Sequence, residues 1–267
     1  MFSRTERCAV VLAPDGFSWR LLRGGRHVIA EHAVSVSAGG DNDWRETVSA
    51  LAAHLGDGLR SGGRLSVLLS HQFVRPMVIP WSDDLYEDVA AQRYLRGLAT
   101  DRFGSEVASW RFVLTERLRK GPRVACGVDV ALLDTLREFA RSRNVRLVSV
   151  QPWFAMHYDR CRRGRPSDAW QISIEPGKML LLDRRAGDVV RIGMHSWHGE
   201  AAAAILRVLQ RNQLRSGVTV PQVVEIADAT GTLTPPILTE HGWRPLPGLD
   251  APSFGTHWAG RLVGFSG

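Results

Sequence analysis

The stretch that decides the fold covers residues 8–36 and reads CAVVLAPDGFSWRLLRGGRHVIAEHAVSV. Pro-Asp-Gly at 14–16 and Gly-Gly at 24–25 are strong turn signals, and they separate runs rich in apolar and β-branched residues. The pattern predicts three strands joined by tight turns, at 8–12, 17–22 and 27–36. Apolar residues at helical spacing then predict a helix over about 43–59, followed by a buried strand at Arg64–Leu69.

The same order of elements returns in the second half of the chain. Three strands, a helix and a further strand are predicted in that order, at 170–174, 178–183, 188–194, 200–212 and 222–226. The turn residues match in kind, because Glu-Pro-Gly at 175–177 stands where Pro-Asp-Gly stands in the first half. The sequence therefore predicts an α/β protein built from a duplicated βββαβ unit, with little identity between the two copies.

A segment with a different pattern lies between the two halves. It predicts strands at 71–79, 110–115, 124–128 and 146–150. Helices are expected from Asp84 to about Arg102 and directly after Asp129, whose side chain suits a helix cap. Pro152 suits the first turn of a short helix that reaches Cys161. Beyond residue 231 we expect irregular structure, with a last strand at 260–265.

The composition is that of an ordinary globular protein with an excess of arginine. The 267 residues carry a formal net charge of +7, and only Lys120 and Lys178 are lysines. The three cysteines, Cys8, Cys126 and Cys161, are too far apart to predict a disulfide framework or a zinc site, so we expect buried thiols in a reducing compartment. Neither a secretory signal nor a membrane span is predicted, and we expect a cytoplasmic protein.

Short stretches of this sequence resemble the cytoplasmic platform proteins of bacterial type IV pilus and type II secretion machines, the PilM-like and GspL-like proteins. They are LSVLLSHQFVR at 65–75 with Ile-Pro-Trp at 79–81, Ala-Cys-Gly at 125–127, and Ser-Val-Gln-Pro at 149–152. The order of these pieces carries the resemblance, which covers about 8–228. It implies an actin-like (ribonuclease H-like) fold with an α+β insertion in the first half.

The resemblance also implies how the chain is divided and what it does. Residues 1–165 would form the first lobe, with an inserted subdomain at about 80–128, and 166–267 the second lobe with an irregular C-terminal segment. Such a protein is a non-enzymatic scaffold at the cytoplasmic face of the inner membrane. It binds the cytoplasmic tail of a bitopic membrane partner in a groove between subdomains, and it helps to couple the assembly ATPase to the platform. The sequence leaves open a homodimer, and whether the chain is a separate protein or an excised domain.

In the actin-like fold two hairpin turns, one from each half, hold the phosphates of ATP. Asp15 and Gly16 keep part of such a turn, and so do Gly177 and Lys178. Pro14 and Pro176 each remove an N–H that would face a phosphate, and Phe17 is bulky where a small residue is expected. We therefore expect a degenerate nucleotide site without a bound cofactor, while an ATP- and Mg²⁺-binding ATPase or kinase relative remains the main alternative.

Two further groups of residues are candidates for contacts with partners. Phe73, Arg75 and Trp81 lie around a strand edge and a break after a proline, where aromatic anchors suit a bound peptide tail. Basic residues in two predicted loops would face anionic lipid, namely Arg117, Arg119, Lys120, Arg162 and Arg163. A nucleic-acid-binding protein is the third reading, although neither loop has the interleaved aromatic residues that such proteins use.

Overall fold

The computed structural model describes residues 6–23, 27–36, 43–55, 59, 61–114, 121–155, 168–217 and 223–246. The first sheet has five strands in the order β3-β2-β1-β4-β8. Its strands are β1 (Glu6–Ala13), β2 (Gly16–Arg23), β3 (His27–Ser35), β4 (Arg64–Leu69) and β8 (Arg146–Pro152), and helix α1 (Arg45–Leu55) connects β3 to β4. Strands β1 to β3 are antiparallel neighbours, whereas β4 and β8 run parallel to β1.

The second five-stranded sheet repeats this topology in the order β11-β10-β9-β12-β13. Its elements are β9 (Ala169–Glu175), β10 (Lys178–Arg185), β11 (Asp188–Ser196), α4 (Ala201–Ser216), β12 (Val224–Asp228), α5 (Pro235–Glu240) and β13 (Arg244–Pro245). The first three strands are again antiparallel, and β12 and β13 again run parallel to the first strand of the unit. The duplicated βββαβ unit of the α/β class is therefore confirmed.

The inserted segment forms a sheet of three strands in the order β5-β7-β6. Its elements are β5 (Val74–Ile79), α2 (Asp88–Phe103), β6 (Trp110–Leu114) and β7 (Arg123–Asp129), with α3 (Val130–Ser142) leading back to β8. Asp129 caps α3 as expected, because its carboxylate accepts a hydrogen bond from the Ala131 backbone N–H at 2.9 Å.

Buried apolar side chains at the predicted spacings hold these layers together. In the second half, alternate residues of β9 pack against one face of α4 around Ile172 and Ile205. In the insertion, α2 packs through Leu95 onto the three-stranded sheet, next to Phe112 and Ala125. Both patterns follow from the periods of two residues for a strand and 3.6 for a helix.

Two predicted boundaries around the insertion were wrong. The predicted strand 71–79 begins only at Val74, because His71–Phe73 forms a short 3₁₀ helix whose cap, Ser70, accepts from the Gln72 backbone N–H at 3.0 Å. The helix predicted from Asp84 starts at Asp88, after a 3₁₀ turn at Asp83–Tyr86 that is capped by Ser82.

Two predictions near the ends of the halves also need correction. Pro152 is the last residue of β8 and not part of the helical turn at 153–155, and the rest of that predicted helix lies outside the described residues. The chain beyond residue 231 is not wholly irregular, since it forms α5 and then β13, which pairs with β12. The strand predicted at 260–265 lies outside the described residues.

The chain separates into two compact units. Of the described residues, one unit holds those within 1–74 and 128–156, and the other holds those within 75–127 and 157–247. This division groups the inserted strands with the second five-stranded sheet, whereas the sequence grouped them with the first lobe. The lobe boundaries at 165 and about 80–128 stay a prediction.

Candidate functional site

The first hairpin turn connects β1 to β2 through two residues, Pro14 and Asp15, with Ala13 paired to Gly16. Proline in the second position and glycine in the fourth are typical of a type I turn. Gly16 has a φ of 151°, in a region that glycine adopts more readily than other residues. Asp15 is half-buried, and Pro14 and Gly16 are buried.

Backbone carbonyls of the first turn are bound from inside their own unit. The buried Thr47 hydroxyl of α1 donates to the carbonyl oxygen of Ala13 at 3.0 Å and approaches that of Pro14 at 3.3 Å. The carbonyl of Asp15 accepts from the Val36 backbone N–H at 2.9 Å. Three consecutive carbonyls are therefore satisfied without water.

The Phe17 ring does not act as the sequence suggested. Phe17 is fully buried and meets the ring of His54 of α1 edge-on at 5.7 Å. Its bulk therefore fills the core of the first unit, and the argument that it obstructs a phosphate does not hold. The case against a phosphate at this turn rests on Pro14, which has no N–H to donate.

The second hairpin turn connects β9 to β10 through Pro176 and Gly177, with Glu175 paired to Lys178. Gly177 has a φ of 72°, and a proline followed by such a glycine is typical of a type II turn. A Cβ at Gly177 would meet nothing within 4 Å, so the turn faces open space. The Lys178 ammonium donates to the Ser196 hydroxyl at the end of β11, at 3.1 Å.

Trp197, directly after β11, binds the carbonyls of the second turn. Its indole N–H donates to the carbonyl of Glu175 at 2.8 Å and lies 3.2 Å from that of Lys178. Its backbone N–H donates to the carbonyl of Gly177 at 3.1 Å. The sequence analysis missed this role, since nothing in the local pattern of 195–198 points to the turn.

The residues of the two turns do not assemble ion-binding chemistry inside either unit. Asp15 and Gly16 lie in one unit, and Gly177 and Lys178 in the other. Among the described residues, no group of three or more His, Cys, Asp or Glu side chains is arranged to hold a metal ion.

Burial raises the pKa of the Cys8 and Cys126 thiols to about 12, so both are protonated at neutral pH. Cys161 lies outside the described residues.

The three predicted partner-binding residues have different surroundings. Phe73 is 7% exposed, so a partner would reach its ring only after a rearrangement. Arg75 lies 5.9 Å from the Trp110 ring, and burial lowers the pKa of its guanidinium, an effect that Glu106 and Cys126 oppose. Trp81 is half-buried against the core of the insertion.

Trp81 belongs to an exposed apolar surface that the sequence analysis missed. The Arg123 guanidinium lies 4.6 Å over its ring, and Tyr86 meets it edge-on at 5.2 Å. Tyr86 is 73% exposed and Val89 64% exposed. We call Trp81, Tyr86 and Val89 the Tyr86 patch. Tyr86 ends the 3₁₀ turn before α2, and Val89 falls outside the buried stripe of α2 around Leu95.

Acidic side chains flank Tyr86 and Val89 in the sequence. They occupy exposed positions within six residues of one another, at Asp83, Asp84, Glu87 and Asp88. Acidic residues favour helix starts, and Asp83 and Asp84 lie in the first turn of the 3₁₀ helix while Asp88 lies in the first turn of α2. The Ser82 hydroxyl fixes Asp84, donating to its carboxylate at 2.9 Å.

The edge strand β6 is closed to strand addition at Phe112. The Gln92 amide of α2 donates to the carbonyl of Phe112 at 2.9 Å and accepts from its backbone N–H at 3.1 Å. This pair of bonds replaces those that a neighbouring strand would make. Covering an edge in this way is how proteins avoid pairing with other chains.

The basic loop residues predicted to face lipid, Arg117, Arg119, Lys120, Arg162 and Arg163, lie outside the described residues. None of the helices in the described part of the chain is both long and apolar enough to cross a bilayer.

With two copies of the βββαβ unit, each with a tight hairpin turn between its first two strands, the fold is that of the actin-like proteins. No protein-family model and no curated protein sequence matches this chain. Its structure is similar to that of PilM in a PilM–PilN type IV pilus biogenesis complex, with a TM-score of 0.59 and 12% identity over 91% of this chain and 88% of that one.

Two further solved structures share the fold. The cytoplasmic domain of EpsL, an inner-membrane component of the type II secretion system of Vibrio cholerae, has a TM-score of 0.52 and 13% identity over 84% of this chain and 82% of that one. A Bacteroides thetaiotaomicron protein of unknown function with an actin-like ATPase fold has a TM-score of 0.58 and 12% identity over 91% of both chains. The resemblance seen in the sequence is thus confirmed at the level of the fold.

Proposed function

We propose that this protein is a non-enzymatic scaffold in the inner-membrane platform of a type IV pilus or type II secretion machine. It acts at the cytoplasmic face of that membrane and binds the cytoplasmic tail of a single-span membrane protein. The fold shared with PilM and with the cytoplasmic domain of EpsL supports the type of machine. The observation that carries the binding role is the Tyr86 patch.

The Tyr86 patch has the properties of a peptide-binding surface. Exposed aromatic residues dominate the energetics of protein interfaces, and Tyr86 presents nearly its whole ring next to a second aromatic side chain. The Trp81 ring is fixed between that contact and the Arg123 guanidinium, so little side-chain entropy is lost on binding.

The charge around the patch favours a basic partner. Four exposed carboxylates lie next to it in the sequence, against the one Arg123 guanidinium over Trp81, in a chain whose net charge is +7, so this surface is opposite in sign to the protein as a whole. The cytoplasmic segments that flank membrane spans are enriched in lysine and arginine. A tail of this kind is complementary to the carboxylates and reaches Tyr86 with its apolar side chains.

The proposed absence of catalysis rests on the two turns. Pro14 and Pro176 each remove an N–H at the position where an actin-like protein would hold a phosphate. The second candidate is an ATP-binding relative, which the actin-like ATPase fold of the Bacteroides protein favours. Its ATP site would have to work without those two donors.

The test measures the binding of synthetic tail peptides from single-span pilus and secretion proteins of the same genome, by fluorescence anisotropy. We expect one tail to bind wild type, and the double variant Tyr86→Ala, Val89→Ser to bind it at least about tenfold more weakly. Val148→Ser is the matched control, because Val148 is an exposed valine of β8 in the other unit. Equal affinity of wild type and the double variant would remove the Tyr86 patch from the proposal.

A further inference from the structure

Helix α4 carries a second surface that the proposed function does not use. One face of α4 is buried in the second core through Ala201, Ile205 and Leu209. Three exposed arginines spaced four residues apart, Arg207, Arg211 and Arg215, lie along one side of α4 outside that buried face. Residues at this spacing lie one above another along a helix.

The charge on this face is of one sign. Helix α4 contains no aspartate or glutamate. Within the described part of the chain, none of its three arginines forms an ion pair with a carboxylate, whereas Arg137 of α3 pairs with Asp134 on its own helix. Burial lowers the pKa of His195 on β11, and the positive charges of Arg211 and Arg215 lower it further.

Leu214 is exposed on the side of α4 that carries the arginines, whereas Leu206 is exposed on another side. Leu214 is 85% exposed and Leu206 36% exposed. Leu214 follows Arg211 by three residues and Arg207 by seven, so it lies on the arginine face itself. A single exposed leucine is ordinary on a protein surface, but this one stands beside Arg207 and Arg211, which have no carboxylate partner among the described residues. We call Arg207, Arg211, Leu214 and Arg215 the basic face of α4.

We infer that the basic face of α4 binds the anionic surface of a phospholipid bilayer. The arginines contact the headgroup phosphates, and Leu214 reaches the boundary of the acyl chains, as in helices that lie in the membrane interface. Each arginine near such a surface strengthens binding by about fivefold. Nucleic acid is the weaker fit, because leucine side chains cannot stack on bases.

The test uses flotation of the full chain with vesicles of equal parts phosphatidylglycerol and phosphatidylcholine, against vesicles of phosphatidylcholine alone. We expect wild type to bind the anionic vesicles, and Arg207→Glu with Arg211→Glu to bind them at least about 20-fold more weakly. Arg93→Glu with Arg96→Glu is the control, since both residues are exposed on α2 and the change in net charge is the same. It should bind within about threefold of wild type, because the inference assigns the contact to α4 and not to net charge alone.

A second variant separates lipid from other polyanions. Leu214→Ser should weaken vesicle binding by about fivefold and leave retention on heparin unchanged, since only a bilayer offers hydrocarbon to this side chain. Circular dichroism of each variant shows whether the fold is intact. The inference fails if wild type floats with neither vesicle, or if the α2 control loses as much binding as the α4 variant. It also fails if the α4 variant loses affinity for DNA but not for vesicles. None of these outcomes depends on the tail peptides.

Discussion

The two hairpin turns occupy the same place in the duplicated unit, yet different side chains fix them. In the first half, the hydroxyl of Thr47, inside α1, binds the carbonyls of Ala13 and Pro14. In the second half, the indole of Trp197, which precedes α4, binds those of Glu175 and Lys178. The requirement that both halves share is a donor for the turn carbonyls. Because different residue types meet it, the architecture repeats while the sequence does not.

The helices that follow these strands differ in their outer surfaces. Helix α1 presents both signs of charge, with Glu46 in its first turn and Arg45 paired to Asp43 at 3.5 Å. The equivalent helix α4 presents arginine alone together with Leu214. Their buried faces are alike, so packing does not account for the difference. An outer surface that departs from its duplicate is where a function specific to one half is expected.

The largest loss of stability is expected from substitution of Trp197. Trp197→Ala removes the indole that binds the second turn and packs against the second core, and it should lower the free energy of unfolding by about 3 kcal/mol. Urea denaturation measures the loss. Trp197→Phe keeps most of the packing and should cost about 1 kcal/mol. A loss for Trp197→Ala no larger than that for Trp197→Phe would show that the hydrogen bonds alone, and not the packing, fix this turn.

The next largest loss of stability is expected from substitution of Thr47. Thr47→Val keeps the shape of this buried side chain but leaves two turn carbonyls without their donor, and it should cost about 1–2 kcal/mol in urea denaturation. Thr135→Val makes the same change to a hydroxyl that bonds within its own helix, and it should cost under about 0.5 kcal/mol. Equal losses for the two variants would mean that Thr47 does not fix the first turn.

A smaller effect on the free energy of unfolding depends on pH and comes from His195 of β11. The equivalent position in β3 of the first half is Val34, which does not titrate. Burial lowers the pKa of His195 below 6.5, and Arg211 and Arg215 lower it further. The unfolded chain then binds the proton more readily, so the free energy of unfolding falls as the pH drops below about 6.5 and is independent of this group above it. NMR titration of the ring should show the lowered pKa.

Arg211→Gln tests the electrostatic part of that effect. It should raise the pKa of His195 while leaving it below 6.5, because burial is the larger cause. Arg93→Gln on α2 should leave the pKa unchanged. A pKa at or above 6.5 in wild type would contradict the burial of this ring.

Mg-ATP is expected to leave the melting temperature unchanged. A ligand that binds only the folded state raises the melting temperature, and the prolines of both turns remove donors that such a ligand needs. Thermal denaturation with and without millimolar Mg-ATP should therefore give the same Tm. An upward shift would favour the ATP-binding relative. The variant Pro14→Ser, Pro176→Ser then shows whether the prolines alone separate this chain from its ATP-binding counterparts.

The elements of the fold were predictable where local signals are strong. Pro-Asp-Gly at 14–16 gave the first hairpin, and the apolar spacing of α4 gave its buried face. Asp129 was correctly identified as the cap of α3. The errors, such as the 3₁₀ helix at His71–Phe73, lie where short-range hydrogen bonds from serine outweigh β-propensity.

The candidate sites were less predictable, because exposure is a property of the assembled molecule. Phe73 and Trp81 looked alike in the sequence, yet one is in the core and the other adjoins Tyr86. Phe17 was expected to be too bulky for a phosphate-binding turn, but its ring is buried against His54 of α1.

The sequence by itself determined the repeated βββαβ order and the prolines in both turns, since periodicity and turn chemistry act over a few residues. Only the tertiary structure decided that Thr47 and Trp197 bind those turns. It also decided that Gln92 closes the β6 edge and that one face of α4 is left basic and unpaired. The contacts of Thr47, Trp197 and Gln92 join residues about 20 or more positions apart, and such pairs form only when the elements pack against each other.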